Sequence, residues 1–126
     1  MRSNFDHEKL QVYLDSLAFI TWLEALLQTV PKSFSARDQL DRASTSIALN
    51  LAEGNGKFTS PDRCRFFDIA RGSALECAAA LDVLVAKKIC TPEQVQPGKE
   101  QLKRIVSMLV GLIKSNSTYR LHETEQ

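Results

Sequence analysis

Hydrophobic residues recur every three to four positions through most of the chain, which is the spacing of an amphipathic α-helix. The pattern predicts helices over about residues 4–30, 36–53, 61–88 and 99–119. Ser60-Pro61-Asp62 predicts the start of the third helix, and Pro97-Gly98 predicts a break before the last one. Four helices with short connections predict an all-α protein with one domain over residues 1–126, an antiparallel up-down-up-down four-helix bundle.

Helix one carries two hydrophobic stripes on roughly opposite sides. Leu10, Leu14 and Leu17 form the first stripe, and the second contains Phe19, Trp22, Leu23, Leu26 and Val30. A helix in a monomeric bundle needs only one apolar face. The second stripe is therefore either wrapped by the protein's own chain or covered by another subunit. We favour an oligomer interface with Trp22 as its anchor; its residues are Phe19, Trp22, Leu23 and Leu26.

Polar residues follow one side of the second helix, directly beside its apolar strip. These residues are Arg42, Ser46, Asn50 and Glu53, and the third helix adds Ser73 and Glu76. Buried polar groups need partners, so we predict that the six form a structural network between the two helices. Direct contact with a ligand is the alternative.

Gly72 predicts the close passage of a neighbouring helix, and Gly54 with Gly56 predicts a left-handed end of helix two.

Basic residues bracket the start of the third helix, at Lys57, Arg63, Arg65 and Arg71. They are either a solvated helix face or a set of phosphate contacts, which would strengthen if several subunits presented them together. The whole chain has a net charge of +1. A dedicated nucleic-acid binder is usually more basic, so electrostatics alone gives nucleic-acid binding little support.

The chain offers little material for catalysis. His7 and His122 lie near the termini, outside the predicted core, and the sequence contains no ExxH pair, Walker loop or GxSxG motif. The three cysteines lack zinc-ligand spacing. We therefore expect no enzyme activity, cofactor or metal. We also expect reduced thiols, no membrane span and a cytoplasmic location.

Two motifs resemble a known family. Helix two reads RASTSIALNLAEG and helix three contains FFDIARGSALE. They are similar to the patterns R-A-x-x-S-I-x-x-N-x-A-E-G and F-x-x-I-A-x-G-S-x-x-E of the four-helix-bundle proteins named for intervening sequences in bacterial 23S ribosomal RNA genes. The residues that fit are Arg42, Ala43, Ser46, Ile47, Asn50, Ala52, Glu53, Gly54, Phe66, Ile69, Ala70, Gly72, Ser73 and Glu76.

The resemblance implies a closed ring of five subunits and supplies no catalytic residues. A related branch, the accessory variability determinants of diversity-generating retroelements, binds nucleic acid and a reverse transcriptase through a basic surface, from which this nearly neutral chain departs. The leading hypothesis is a non-enzymatic, homo-oligomeric, cytoplasmic bacterial scaffold for RNA or an RNA–protein complex. The alternative is a protein-only adaptor that docks another chain through helix one or four.

Overall fold

The computed structural model describes the backbone of residues 5–125 and the side chains of residues 5–117. The predicted first helical residue, Asn4, and the side chain of His122 lie outside the described residues. A short 3₁₀ helix (Asp6–Lys9) precedes four α-helices in the described chain: α1 (Gln11–Leu27), α2 (Ser35–Asn55), α3 (Ser60–Ala86) and α4 (Pro92–Glu125). The all-helical prediction is confirmed for these residues, which contain no β-strand.

The ends of the helices differ from the sequence prediction at several positions. Extended backbone at Leu10, with φ −76° and ψ 124°, separates α1 from the 3₁₀ helix, so helix one is not continuous from residue 4. Thr59, rather than Ser60, caps α3 by accepting a hydrogen bond from the Asp62 N–H at 3.3 Å. After α3, Lys88 takes up the left-handed conformation, with φ 61°. The Leu84 carbonyl there accepts from two backbone N–H groups at 3.0 and 3.2 Å.

Pro97 does not break α4, although the sequence predicts that it does. The helix begins at Pro92 and continues through Pro97 to Glu125. A proline has no backbone N–H, so the carbonyl of Glu93, four residues earlier, loses its usual intrahelical donor. Glu93 lies in the first helical turn and is exposed to water. Gly98 has a packing role instead, because a Cβ at this position would overlap the six-membered ring of Trp22.

The core draws on all four α-helices. Its largest fully buried side chains include Phe19, Leu40, Ile47, Phe67, Leu81, Leu102 and Ile105. α2 packs against α3, α3 packs against α4, and α1 packs against both α2 and α4. No helix of the described chain is long and apolar enough to cross a membrane.

The predicted oligomer interface on α1 lies in this core. Phe19 is 0% exposed and Leu26 is 9% exposed, with Leu23 buried between them. Trp22 is half-buried, and its ring stacks on Phe19 with the centroids 5.8 Å apart. The interface prediction is therefore wrong for Phe19, Leu23 and Leu26, because the protein's own chain covers them. Trp22 is held against α4 at Gly98 rather than projecting towards solvent.

The close approach of α2 and α3 occurs at Gly54. A Cβ at Gly54 would lie 2.9 Å from ring carbons of Phe67 and 3.0 Å from the Phe66 Cβ. The sequence assigns this role to Gly72, where a Cβ would meet no such neighbour within 4 Å. The predicted left-handed helix end is also wrong, since α2 continues to Asn55 and Gly56 has φ −85°.

Candidate interaction surfaces

A polar cleft runs between α2 and α3. The Ser46 and Ser73 hydroxyls share a hydrogen bond of 2.8 Å across the two helices. The Asn50 side-chain amide donates to the Ser46 carbonyl at 2.9 Å and to the Ser46 hydroxyl at 3.0 Å. The structure therefore brings together three of the six residues of the predicted network.

The other three network residues lie at or beyond the rim. Arg42 and Glu76 line the same open cleft, which has a volume of about 310 Å³. Both are exposed, and neither forms an ion pair within the described part of the chain. Glu53 instead faces Lys57, with 3.7 Å between Oε2 and Nζ. The predicted network therefore forms only in part, because Ser46, Asn50 and Ser73 bond to one another while the other three side chains face solvent.

The four basic residues at the start of α3 have different surroundings. Arg63 donates to the Asn55 carbonyl at 2.8 Å and to the Asn116 side-chain oxygen at 3.1 Å, and so ties α3 to the end of α2 and to α4. Arg71 lies 3.6 Å from the Asp68 carboxylate. Arg65 forms no ion pair within the described residues. Arg63 thus has a structural role, whereas Lys57 and Arg65 remain accessible.

Aromatic residues accompany these two cations, a feature that the charge pattern alone does not reveal. The Lys57 Nζ and the Arg65 Cζ each lie 5.0 Å from the centroid of the half-buried Phe66 ring. Phe58, next to Lys57 in the loop between α2 and α3, is 102% exposed. The sequence signal was available, because basic and aromatic residues are interleaved here as KF and RFF.

Two surfaces of the bundle carry exposed apolar side chains, apart from single ones such as Leu49 and Phe58. On α3, Ile69, Leu75 and Val83 are exposed, and of these Leu75, at 46%, lines the groove towards α4. A groove of about 450 Å³ separates α3 from α4, with Leu75, Ala78 and Val106 in its lining and Lys99, Glu100 and Lys103 among its polar residues. We call this surface the α3–α4 groove.

The second exposed face belongs to α1. Leu14 is 45% exposed, and Leu17 is exposed beside it. The sequence correctly predicts two apolar stripes on this helix, but the stripe that faces solvent is the one with Leu14 and Leu17. We call it the α1 face.

The cysteines are free thiols in different environments. Burial, with a smaller effect from neighbouring Glu76, raises the pKa of the Cys77 thiol to about 12. Burial also raises the pKa of Cys90. Raised pKa values keep these thiols protonated and unreactive at neutral pH. The described residues contain no cluster of three or more His, Cys, Asp or Glu side chains that could hold a metal ion.

Comparison with known proteins agrees with the two motifs. The family described as 23S rRNA-intervening sequence protein matches residues 8–111. The chain belongs to this family. No curated protein matches the chain. Among solved structures, the fold is similar to a Bacteroides thetaiotaomicron protein described as of unknown function from the S23 ribosomal protein family. The TM-score is 0.76 with 26% sequence identity, and the alignment covers 82% of this chain and 98% of that one.

In this member of the 23S rRNA-intervening sequence family, the motif residues divide into two groups. Ala43, Ile47 and Ala70 are buried between the helices. Arg42, Ile69 and Glu76 are exposed. Ser46 and Ser73 are half-buried and bond to each other in the polar cleft. The motifs therefore specify both the contact between α2 and α3 and the character of the surface above it.

Proposed function

We propose that this protein is a non-enzymatic scaffold whose copies assemble into a ring through the α1 face and the α3–α4 groove. The observation that carries the proposal is the apolar part of the groove, where Leu75, which is 46% exposed, lies with Ala78 and Val106 beside polar residues of the rim. Single apolar residues on a surface are ordinary, whereas a contiguous apolar patch with a polar rim is typical of an interaction site.

The course of the helices supports a contact between two different surfaces. In the contacts between neighbouring helices, residue numbers increase along one helix and decrease along the other. Neighbouring helices are therefore antiparallel, which supports the up-down-up-down order. The contacts are Ser46 with Ser73, Gly54 with Phe67, Asp82 with Lys99, Arg63 with Asn116, Asp15 with Arg104, and Trp22 with Gly98. Since α1 packs against α2 and α4, the α1 face and α3 lie at different sides of the bundle.

Contact between unlike surfaces produces a closed ring when the rotation from copy to copy completes a circle. Charge does not decide the pairing, because Asp15 of α1 already pairs with Arg104, and Lys99 at the rim of the groove already pairs with Asp82. Five subunits is the number that the family resemblance implies.

RNA or an RNA–protein complex is the proposed ligand of the ring in a bacterial cytoplasm. The accessible Lys57 and Arg65 support this part of the proposal, and a ring would multiply their weak charge. A protein-only adaptor is the second candidate, because the same apolar faces could dock a different chain. A mobility shift with structured RNA at two salt concentrations separates the candidates, since an adaptor without an RNA ligand gives no shift at low salt.

The absence of enzyme activity is also part of the proposal. The polar cleft brings together two hydroxyls and one amide, which already bond to one another. The described residues that line it contribute one titratable acid, Glu76, and no histidine or cysteine. A hydroxyl nucleophile needs an adjacent base to activate it, and the lining does not supply the usual one.

Light scattering of the purified protein tests the assembly. We expect a mass that is a multiple of the 14.1 kDa subunit mass. Leu75→Glu places a charge in the groove and should reduce the mass to that of the monomer. The circular dichroism spectrum should stay helical, because Leu75 is largely outside the core.

Leu49→Glu is the matched control. Leu49 is exposed on α2, outside both proposed surfaces, and its replacement should leave the mass unchanged. A monomeric parent protein, or equal effects of the two substitutions, would refute the proposed interface.

A further inference from the structure

We propose that the loop between α2 and α3 binds an unpaired base of single-stranded RNA, with Phe58 as the stacking surface and Lys57 and Arg65 as contacts for the adjoining phosphates. The inference rests on the RNA-binding part of the proposed function and deepens it by naming the kind of RNA and the residues that hold it.

The first reason is the exposure of Phe58. Its side chain is 102% exposed, the highest value among the large apolar side chains that the structure describes. Its neighbours along the loop, Lys57, Thr59 and Ser60, are polar rather than apolar. A protein partner that buries an aromatic anchor usually covers further apolar surface around it. An isolated ring with polar neighbours better fits a small planar group such as a base.

The second reason is the arrangement of the cations. Phe66 holds the Lys57 ammonium and the Arg65 guanidinium, each 5.0 Å from its ring centroid. Lys57 shares its charge with Glu53 at 3.7 Å, through a carboxylate that is itself 59% exposed, whereas Arg65 forms no ion pair within the described residues. Two positive groups therefore stand close in sequence to the exposed ring of Phe58.

The third reason is that the loop is held in place before any ligand binds. Arg63 donates to the Asn55 carbonyl at 2.8 Å and to the Lys57 carbonyl at 3.4 Å, which fixes the backbone on the approach to Phe58. Asn116 on α4 accepts from the same guanidinium at 3.1 Å. A platform that is already ordered loses less conformational entropy on binding.

The local charge indicates a single strand rather than a duplex. Glu53 offsets part of the charge of Lys57 at 3.7 Å, and one further cation, Arg65, is too little for strong attraction to phosphate alone. Stacking must then supply much of the affinity, and only an unpaired base offers a free face. Two phosphate contacts on one subunit correspond to a slope of about −1.4 in log K against log salt concentration.

Fluorescence anisotropy with a labelled oligoadenylate, and with a duplex RNA of the same length, tests the inference on the full chain. Phe58→Ala should weaken binding to the single strand about tenfold, which corresponds to the loss of one stacked base. Binding to the duplex should change much less. Phe58→Trp should retain binding, and Arg65→Gln should make the salt slope shallower by about 0.7.

Lys32→Gln is the control for charge. Lys32 is exposed in the turn before α2, at the opposite end of that helix from Lys57, and its replacement should leave binding unchanged. Phe58 is outside the core, so the alanine variant should keep its helical circular dichroism spectrum.

The inference would be overturned by no binding of the parent protein to the single strand, by equal weakening of single-strand and duplex binding by Phe58→Ala, or by no weakening of either. A fall in oligomer mass with Phe58→Ala would also overturn it, because Phe58 would then be a subunit contact. The mass of the parent protein is measured without RNA. A monomer therefore contradicts the ring alone, a ring that binds the duplex but not the single strand contradicts the inference alone, and a ring that binds neither contradicts the RNA-binding part of the proposed function as well.

Discussion

Two glycines of α4 have opposite surroundings. Gly98 leaves room for the Trp22 ring, which would overlap any Cβ at that position. At Gly111, a Cβ would meet nothing within 4 Å beyond its own stretch of helix. The same residue type therefore allows α1 to approach α4 at one position and has no packing role at the other.

We expect Gly98→Ala to lower the free energy of unfolding by about 1–2 kcal/mol, because the cost of overpacking exceeds the gain in helix propensity. Gly111→Ala should raise it by about 0.5–1 kcal/mol, since only the propensity changes. Urea denaturation measures both variants. Trp22 is the only tryptophan, so its fluorescence reports whether the ring moves. Equal stabilisation by both substitutions, with unchanged fluorescence, would contradict the packing role of Gly98.

At the scale of the element, α4 shows how position decides the effect of proline. Pro92 is the first residue of the helix, where the missing N–H has no intrahelical partner in any case. Pro97 lies inside the helix and deprives the Glu93 carbonyl of its hydrogen bond. α4 persists because Leu102, Ile105 and Leu109 bury its apolar side in the core.

Pro97→Ala should stabilise the protein by about 1–2 kcal/mol, because the restored hydrogen bond outweighs the greater freedom of the unfolded chain. Pro92→Ala is the control and should be neutral or slightly destabilising. Thermal unfolding followed by circular dichroism compares the two. If Pro97→Ala destabilises the protein more than Pro92→Ala does, the Pro97 ring contributes to packing, and the loss of the Glu93 hydrogen bond is not its main effect.

At the scale of the whole molecule, the notable feature is apolar surface that one copy leaves exposed. The α1 face and the α3–α4 groove are both accessible in the single chain. With a net charge of +1, long-range repulsion between copies is small. The free energy of unfolding of an assembled protein then depends on the protein concentration.

The melting temperature should therefore rise with protein concentration, by about 4 °C for each tenfold increase, since mass action adds about 1 kcal/mol per subunit. In Leu75→Glu, the melting temperature should be independent of concentration. Calorimetry at several concentrations makes the comparison. A concentration-independent value for the parent protein, within the range where light scattering detects an oligomer, would mean that subunit contacts contribute nothing to folding.

Much of this architecture was predictable from local pattern. Helical spacing gave four helices, and the positions of Ser46, Asn50 and Ser73 indicated a polar contact between α2 and α3. The site was predictable only in part. The charge pattern selected Lys57 and Arg65 together with Arg63, but it could not show that Arg63 is committed to Asn55 and Asn116.

The sequence by itself determined the helices, the two motifs and the presence of two apolar stripes on α1, because these depend on residues close together in the chain. Only the tertiary structure decided which stripe is buried. Phe19 and Leu14 are both hydrophobic, and the choice between them depends on shape. Trp22 fits α4 where Gly98 lacks a side chain, and Phe67 fits α2 at Gly54. Such fits join residues distant in sequence, which helical periodicity does not record.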